Sequence, residues 1–426
     1  MWPLVVFILA IPFRIFFPNL IEFKADEALT LFQARQFFQS FSFPQIGLIS
    51  STGIHNFPLF SYLIILFSFV SSDPRFVSLL IALINCLAIM LFFIIIRKYY
   101  GFVVALTASA ILATSPWSIL FSRKIWAQDL LLPFVVAIIY ALQKKSTFLI
   151  FLLLTLITQL HGSGLFLFIA VIISLLISKT KINLNKAIYG FLAGLLTTLP
   201  YFYYQLTANN FCLDCQAFIN FQAIPKNFDP ANLLRFLQVT SGLFFQFETK
   251  INLFSNKEIF FYLHWPFIFA GIIYGFINKR KALIYSLLIL LIPFLYFITK
   301  TPSYPHYYAV LLPFLCLIEG LGFNYIFLFF KNKFYKTGVG LIFLILIISN
   351  IMFEINFYRY LSIYKQGKGD YGPIFSETEK FVNKQIYNYQ LLPYYDELKS
   401  YAYIFAHSPD FNKRLDEYFA QKQNKN

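Results

Sequence analysis

The sequence predicts an all-helical, polytopic membrane protein with about eleven transmembrane helices. Of its 426 residues, 59% are hydrophobic and only 12% charged, whereas a soluble domain carries about 25% charged residues. Apolar stretches of about 20 residues recur along most of the chain, each long enough for a hydrocarbon core about 30 Å thick. These stretches are apolar all round, unlike the alternating segments of a barrel. Helix is the other way to satisfy every backbone group in lipid.

The net charge of +15 would point to nucleic acid in a soluble chain. Here the basic residues sit in short clusters between apolar runs, as orientation signals do, so no nucleic-acid partner is expected. No basic residue precedes the apolar run Trp2 to Ile11 and no small-x-small site follows it, so the run is read as a span and not as a cleavable signal. Of the four cysteines, Cys86 and Cys316 lie in apolar runs and Cys212 and Cys215 in a loop. A lone Cys-x-x-Cys lacks the second pair of a zinc site.

The spans are placed at 2–20, 76–96, 102–120, 130–142, 147–160, 165–178, 187–206, 259–277, 282–299, 306–327 and 337–357. Basic clusters fall at alternate junctions: Arg97-Lys98, Lys144-Lys145, Lys179/Lys181/Lys186, Lys279-Arg280-Lys281 and Lys331/Lys333/Lys336, with no acid among them. The positive-inside rule makes these junctions cytoplasmic, which puts the N-terminus inside and the C-terminus outside. The apolar run Phe57–Ser72 would invert every later loop if it crossed. It is therefore read as a helix lying in the interface or re-entering it. The transmembrane unit is then residues 1–357, with a first outer loop at 21–75 and a second at 207–258. A polar extracytoplasmic tail follows at 358–426, in which Ser376 is placed as the N-cap of a short helix.

With this topology the midplane is nearly free of charge and the acids gather at the outer face. Asp26 and Glu27 open 'DEALTLFQARQFFQS' just past the first span. Acids there oppose a helix dipole for about 0.3–1 kcal/mol, and a carboxylate at the water boundary also suits a general base toward an acceptor hydroxyl. Arg123 and Lys124 in 'SRKIWAQ' are cations at an outer junction, against the orienting bias. They either hold a phosphate through charge-assisted hydrogen bonds or snorkel to headgroups. Asp129 begins the fourth span, where it can pair with those cations or with a metal. His161 ends the fifth span; edge-of-membrane ionisable groups are functional candidates, although a hydrogen-bonded structural histidine reads the same way. His306 and Tyr308 lie in 'PSYPHYYAVLLPF', where tyrosine also fits an interfacial belt. Arg14 and Arg75 are further cations available to a phosphate. Cys212 and Cys215 read as a local disulfide staple in an outer compartment.

These residues bring a family into view. The segments 'ADEALTLFQARQF', 'NFPLFSYLIILFSFV', 'DPRFVSLLIALINCLAIMLFFIIIRKYYG', 'VALTASAILATSPWSILFSRKIWAQDLLLPF' and 'HYYAVLLPFLCLIEGLG' resemble the C-type glycosyltransferases. The likeness is to bacterial members of the group containing protein O-mannosyltransferases and lipid A aminoarabinose transferases. It is most specific over residues 20–134. The resemblance implies a site at the outer face of a bacterial plasma membrane, beneath a first outer loop with interfacial helices. It implies transfer of a sugar from a polyprenyl-phosphate donor to a hydroxyl of a protein, lipid or glycan, with inversion. It makes Asp26 the base and Glu27 a supporting or metal-contacting acid, with Asp129 as the second outer acid. Arg123, Lys124 and Arg75 go to the donor phosphate, and His161, His306 and Tyr308 line the site. A divalent metal is left open, with Glu27, Asp129 and His161 as candidate ligands. The alternatives are a transporter or flippase of lipid-linked sugars, which would place polar residues near the midplane, and a glycan polymerase or ligase.

Overall fold

The computed structural model describes residues 2–50, 53–207, 214, 230–239, 262–278, 282–301, 304–367 and 371–378. Cys212, Cys215, the cluster Lys279–Lys281, most of the second outer loop and most of the tail lie outside them. The helices are α1 (Trp2–Ala10), α2 (Pro12–Ile15), α3 (Ala25–Ser40), α4 (Leu59–Ser68), α5 (Pro74–Tyr100), α6 (Phe102–Thr114), α7 (Pro116–Leu120), α8 (Leu131–Lys144), α9 (Thr147–Leu160), α10 (Ser163–Ile177), α11 (Leu184–Leu195), α12 (Leu199–Thr207), α13 (His264–Ile277), α14 (Leu283–Ile298), α15 (Leu312–Phe329) and α16 (Lys333–Tyr364). Among the described residues β structure is limited to isolated bridges.

Each predicted span coincides with one helix or two consecutive ones, so the chain is an all-α polytopic membrane protein. Among the described residues four helical stretches are long and apolar enough to cross a membrane by length and composition, and seven apolar helices are shorter. The helix ends follow from the sequence. Asp73 caps α5 by accepting from the Arg75 backbone at 2.8 Å, Pro74 takes the first turn, and Gly101 at φ 89° ends it. Asn183 and Asn332 cap α11 and α16 in the same way. Helix α4 has 10 residues, about 15 Å at 1.5 Å per residue, half of what a hydrocarbon core requires. It lies against α3, α5 and α9.

Helix α15 sits at the centre, packed on α6, α13, α14 and α16. In the apolar 18-residue window of Pro305–Phe329 78% is buried and in that of Lys333–Tyr364 only 28%, so α16 keeps most of its apolar surface outside the helix packing. Two glycines allow the tightest contact. A Cβ on Gly271 would stand 1.9 Å from the Ile318 carbonyl oxygen, and one on Gly322 1.8 Å from that of Phe267. Small residues at such crossings let membrane helices approach backbone to backbone.

Three features depart from the sequence reading. Helix α16 continues to Tyr364, seven residues past the predicted span. The chain then folds back, and residues 375–378 are helical, which puts Ser376 inside the first turn and not at its cap. Nor is the membrane interior free of acids. Glu319 of α15 and Glu354 of α16 are both buried, and Glu319 Oε1 lies 2.7 Å from Nδ1 of the buried His264.

The returning segment 371–378 pairs with residues 20–23. Phe23 donates to the Pro373 carbonyl at 3.0 Å and Phe375 to that of Ile21 at 2.8 Å. The Tyr371 hydroxyl donates to the Leu20 carbonyl, and the Thr378 hydroxyl to that of Phe23.

A candidate active site around Trp126

In the extended stretch 21–24 successive side chains point to opposite sides. Ile21 and Phe23 enter the core, with Phe23 edge-on to Phe375 at 5.6 Å. Glu22 and Lys24 take the other side, and their Oε1 and Nζ atoms lie 2.8 Å apart. Lys24 is also the cap of α3: its backbone N–H donates to Glu27 Oε2 at 3.0 Å. That places Asp26 and Glu27 in the first turn, at the positive end of the helix.

The loop 121–126 approaches from α7. Two residues on one face of α5 fix it: the Ser78 hydroxyl donates to the Arg123 carbonyl at 2.6 Å, and Asn85 Nδ2 to the Asp129 carbonyl at 2.8 Å. The Asp129 carboxylate, fully buried in the turn before α8, accepts from the Lys124 backbone N–H. This loop turns adjacent side chains in opposite directions. Arg123 goes inward, donating to the carbonyls of Phe13 and Phe17, both at 2.9 Å, and to the Tyr358 hydroxyl. Lys124 goes to Glu22, with which it forms a fully buried ion pair.

Trp126 is where these parts meet. Its Nε1 donates to Asp26 Oδ2 at 3.1 Å. Lys124 Nζ lies 4.6 Å and Lys24 Nζ 5.1 Å from its ring, and the His306 ring is 5.6 Å away. His306 in turn is 6.1 Å from His161 and parallel to Tyr304. His161 Nδ1 lies 2.8 Å from the Ser163 hydroxyl and 3.2 Å from the Ser163 backbone N–H.

Charge in the cluster is set by burial and by sharing. Burial works against the Glu22 carboxylate, but Lys124 and Lys24 outweigh it and hold its pKa below the ordinary range. Burial likewise opposes the Lys24 ammonium, and Glu22, then Glu27, overcome that and raise its pKa. Glu27 is the reverse case: burial, followed by the negative charge of Glu22, pushes it up to about 8 despite both lysines.

The structure thus brings Asp26, Glu27, Lys124, Asp129, His161 and His306 into one continuous region. Arg123 borders it with its guanidinium committed to the Phe13 and Phe17 carbonyls. Arg75 is bidentate with Asp73, Nη2 to Oδ2 at 2.7 Å, and lies over Phe375. Tyr308 is buried against Tyr296. Arg14 donates to the Ala113 carbonyl at 2.7 Å and to the Ser118 hydroxyl at 2.7 Å. Among the described residues no three His, Cys, Asp or Glu side chains gather as a metal-binding group; Glu27, Asp129 and His161 do not form one. Sequence reasoning missed Glu22 and Lys24. Their signal was the alternating 'EFKADE', with the acid and the base two residues apart.

No protein-family model matches the chain, and no curated protein matches it in sequence. Solved structures do. ArnT from Cupriavidus metallidurans in the apo state superposes with a TM-score of 0.52 and 14% identity, covering 84% of this chain and 74% of that one. The same protein bound to undecaprenyl phosphate gives 0.53 at 13% identity, covering 84% and 75%. This chain shares the fold of ArnT. The oligosaccharyltransferase of Archaeoglobus fulgidus in its apo form superposes at 0.47 and 12% identity, over 89% of this chain and 59% of that one. In this chain the connection between the first span and α5 carries α3 and the short α4, and α3 presents Asp26 to Trp126.

Proposed function

We propose that this protein is a membrane glycosyltransferase that moves a sugar from a polyprenyl-phosphate donor to an acceptor hydroxyl at the outer membrane face, with inversion. The observation that carries the reading is the meeting of a carboxylate and a cation on one indole: Asp26 Oδ2 at Trp126 Nε1, and Lys124 Nζ over the ring. ArnT was solved with undecaprenyl phosphate bound, and a donor of that chemistry suits this fold.

In the proposed reaction Asp26 takes the proton of the acceptor hydroxyl as its oxygen attacks the anomeric carbon. The bond from that carbon to the phosphate oxygen breaks and its electron pair leaves with the polyprenyl phosphate. Fixed positive charge facing the leaving oxygen lowers the barrier in a site shielded from water. The cluster of Lys24, Lys124 and Glu22 supplies such charge, Asp129 fixes the loop that carries Lys124, and Glu27 completes the first turn beneath Asp26. His161 and His306 line the approach. The Arg123 guanidinium is held by the Phe13 and Phe17 carbonyls and Arg75 pairs with Asp73, which leaves the two lysines as the cations beside Trp126. The N-terminus is inside, the C-terminus outside, and the membrane a bacterial plasma membrane, on the basic clusters and the fold.

The test is turnover of labelled polyprenyl-phosphate sugars by membranes containing the wild type or Asp26→Asn. Loss in the variant at equal protein level and donor binding supports Asp26 as the base, and equal turnover removes it. The buried His264–Glu319 pair is the observation that favours a transporter, since intramembrane ionisable pairs mark ion and substrate paths. Labelled lipid crossing the bilayer without consumption of donor would establish that reading instead.

A further inference from the structure

We infer that Lys24 is the residue that meets the donor's phosphate directly, and that Lys124 and Glu22 act behind it as positioning residues. The inference rests on the glycosyltransferase reading and deepens it.

Glu22, Lys24 and Lys124 form a triad in which one buried carboxylate serves two ammonium groups. The carboxylate is held further by the Gly372 backbone N–H. Two cations thus share one buried carboxylate. The two ends of the triad differ in access. The Lys124 side chain is 0% exposed and that of Lys24 31%. An arriving anion can therefore reach Lys24 without dismantling the triad, whereas reaching Lys124 would require opening a buried ion pair, which is costly.

Position supports the same assignment. Lys24 stands two residues before Asp26, and both touch Trp126, the ammonium near the ring and the carboxylate at Nε1. Inverting displacement requires the base and the leaving oxygen on opposite sides of one carbon. A cation and a base set against different parts of one rigid indole provide that separation without relying on a mobile loop. As the bond to the anomeric carbon breaks, the electron pair goes to the phosphate oxygen, and the Lys24 ammonium faces that growing charge.

The experiment uses full-length protein in detergent, with polyprenyl monophosphate and uncharged polyprenol as competitors of the labelled donor. Lys24→Gln is expected to weaken inhibition by polyprenyl monophosphate on the order of tenfold to a hundredfold, the range of a charge-assisted hydrogen bond. Polyprenol inhibition should stay as it was, and Lys24→Arg should recover most of the loss. A purely structural role for Lys24 would weaken both competitors together, and an unchanged phosphate effect would equally overturn the inference. A second measurement needs no variant: in the wild type, amine-reactive labelling of Lys24 should be blocked by polyprenyl monophosphate and not by polyprenol. Absence of protection refutes the assignment. A wild type that consumes no polyprenyl-phosphate sugar fails the parent reading; an active wild type with Lys24 unprotected fails this inference alone.

Discussion

Trp126 Nε1 donates to Asp26 Oδ2 across 3.1 Å, tying the loop after α7 to the first turn of α3. The bond fixes the direction of a carboxylate that α3 alone would leave free to rotate. Trp126→Phe keeps the ring and removes the donor. The expected outcome is a fall in kcat of about tenfold to a hundredfold, the scale of a slightly misplaced reacting group, with little change in donor KM. Steady-state kinetics on both variables check it, and a loss confined to KM would count against a role through Asp26.

Glu27 gives a pH prediction. Burial, then Glu22, lifts its pKa from an ordinary 4.5 to about 8. Between those values the folded chain holds a proton that the unfolded chain has released, so this group makes stability fall as pH rises from about 4.5 to about 8. Glu27→Gln is neutral throughout and removes that slope. Melting curves in detergent across this window should decline less for the variant than for the wild type. Parallel curves would mean that Glu27 does not titrate there.

Arg123 is expected to matter for stability more than for the donor. Its guanidinium donates to two backbone carbonyls and a tyrosine hydroxyl, and hydrogen bonds to a charged group contribute about 1.5–3 kcal/mol each. Arg123→Gln should cost on the order of 3 kcal/mol or more on the same scale, seen as a lower melting temperature, while surviving protein keeps its donor KM. A raised KM with unchanged melting would return Arg123 to the phosphate.

At the crossing of α13 and α15, Gly271→Ala would set a methyl 1.9 Å from the Ile318 carbonyl oxygen. The helices must separate, at about 1–3 kcal/mol for overpacking of this kind. Gly338, whose Cβ would meet open space, is the control: Gly338→Ala should melt like the wild type. Equal melting of both variants would show that the crossing is looser than its geometry.

Helices of this length were legible because a hydrocarbon solvent leaves one way to satisfy the backbone, and the basic clusters ordered them. Asp26 and Lys124 were legible as charges placed where the orienting rule disfavours them or where a helix begins. Arg123 was not: it adjoins Lys124, and only the path of the loop turns one inward and the other toward Glu22. Glu22 and Lys24 read as ordinary interfacial charges until Lys124, a hundred residues later, closes the triad. The His264–Glu319 pair was hidden for the same reason, its partners standing 55 residues apart on helices whose packing no local pattern reveals.

The clasp between residues 20–23 and 371–378 has a consequence for the order in which the protein is made. Gly372 lies 350 residues beyond Glu22. At about 5–20 residues per second, synthesis would separate the two by roughly 20–70 s. Through that interval Glu22 and Lys24, joined later by Lys124, are without the Gly372 backbone N–H, the Tyr371 ring and the paired segment 371–378 that enclose them. A nascent chain halted at the end of α16 would thus embed nearly every helix and still lack a finished charge cluster, because the enclosing contacts come from residues 371–378 beyond that helix.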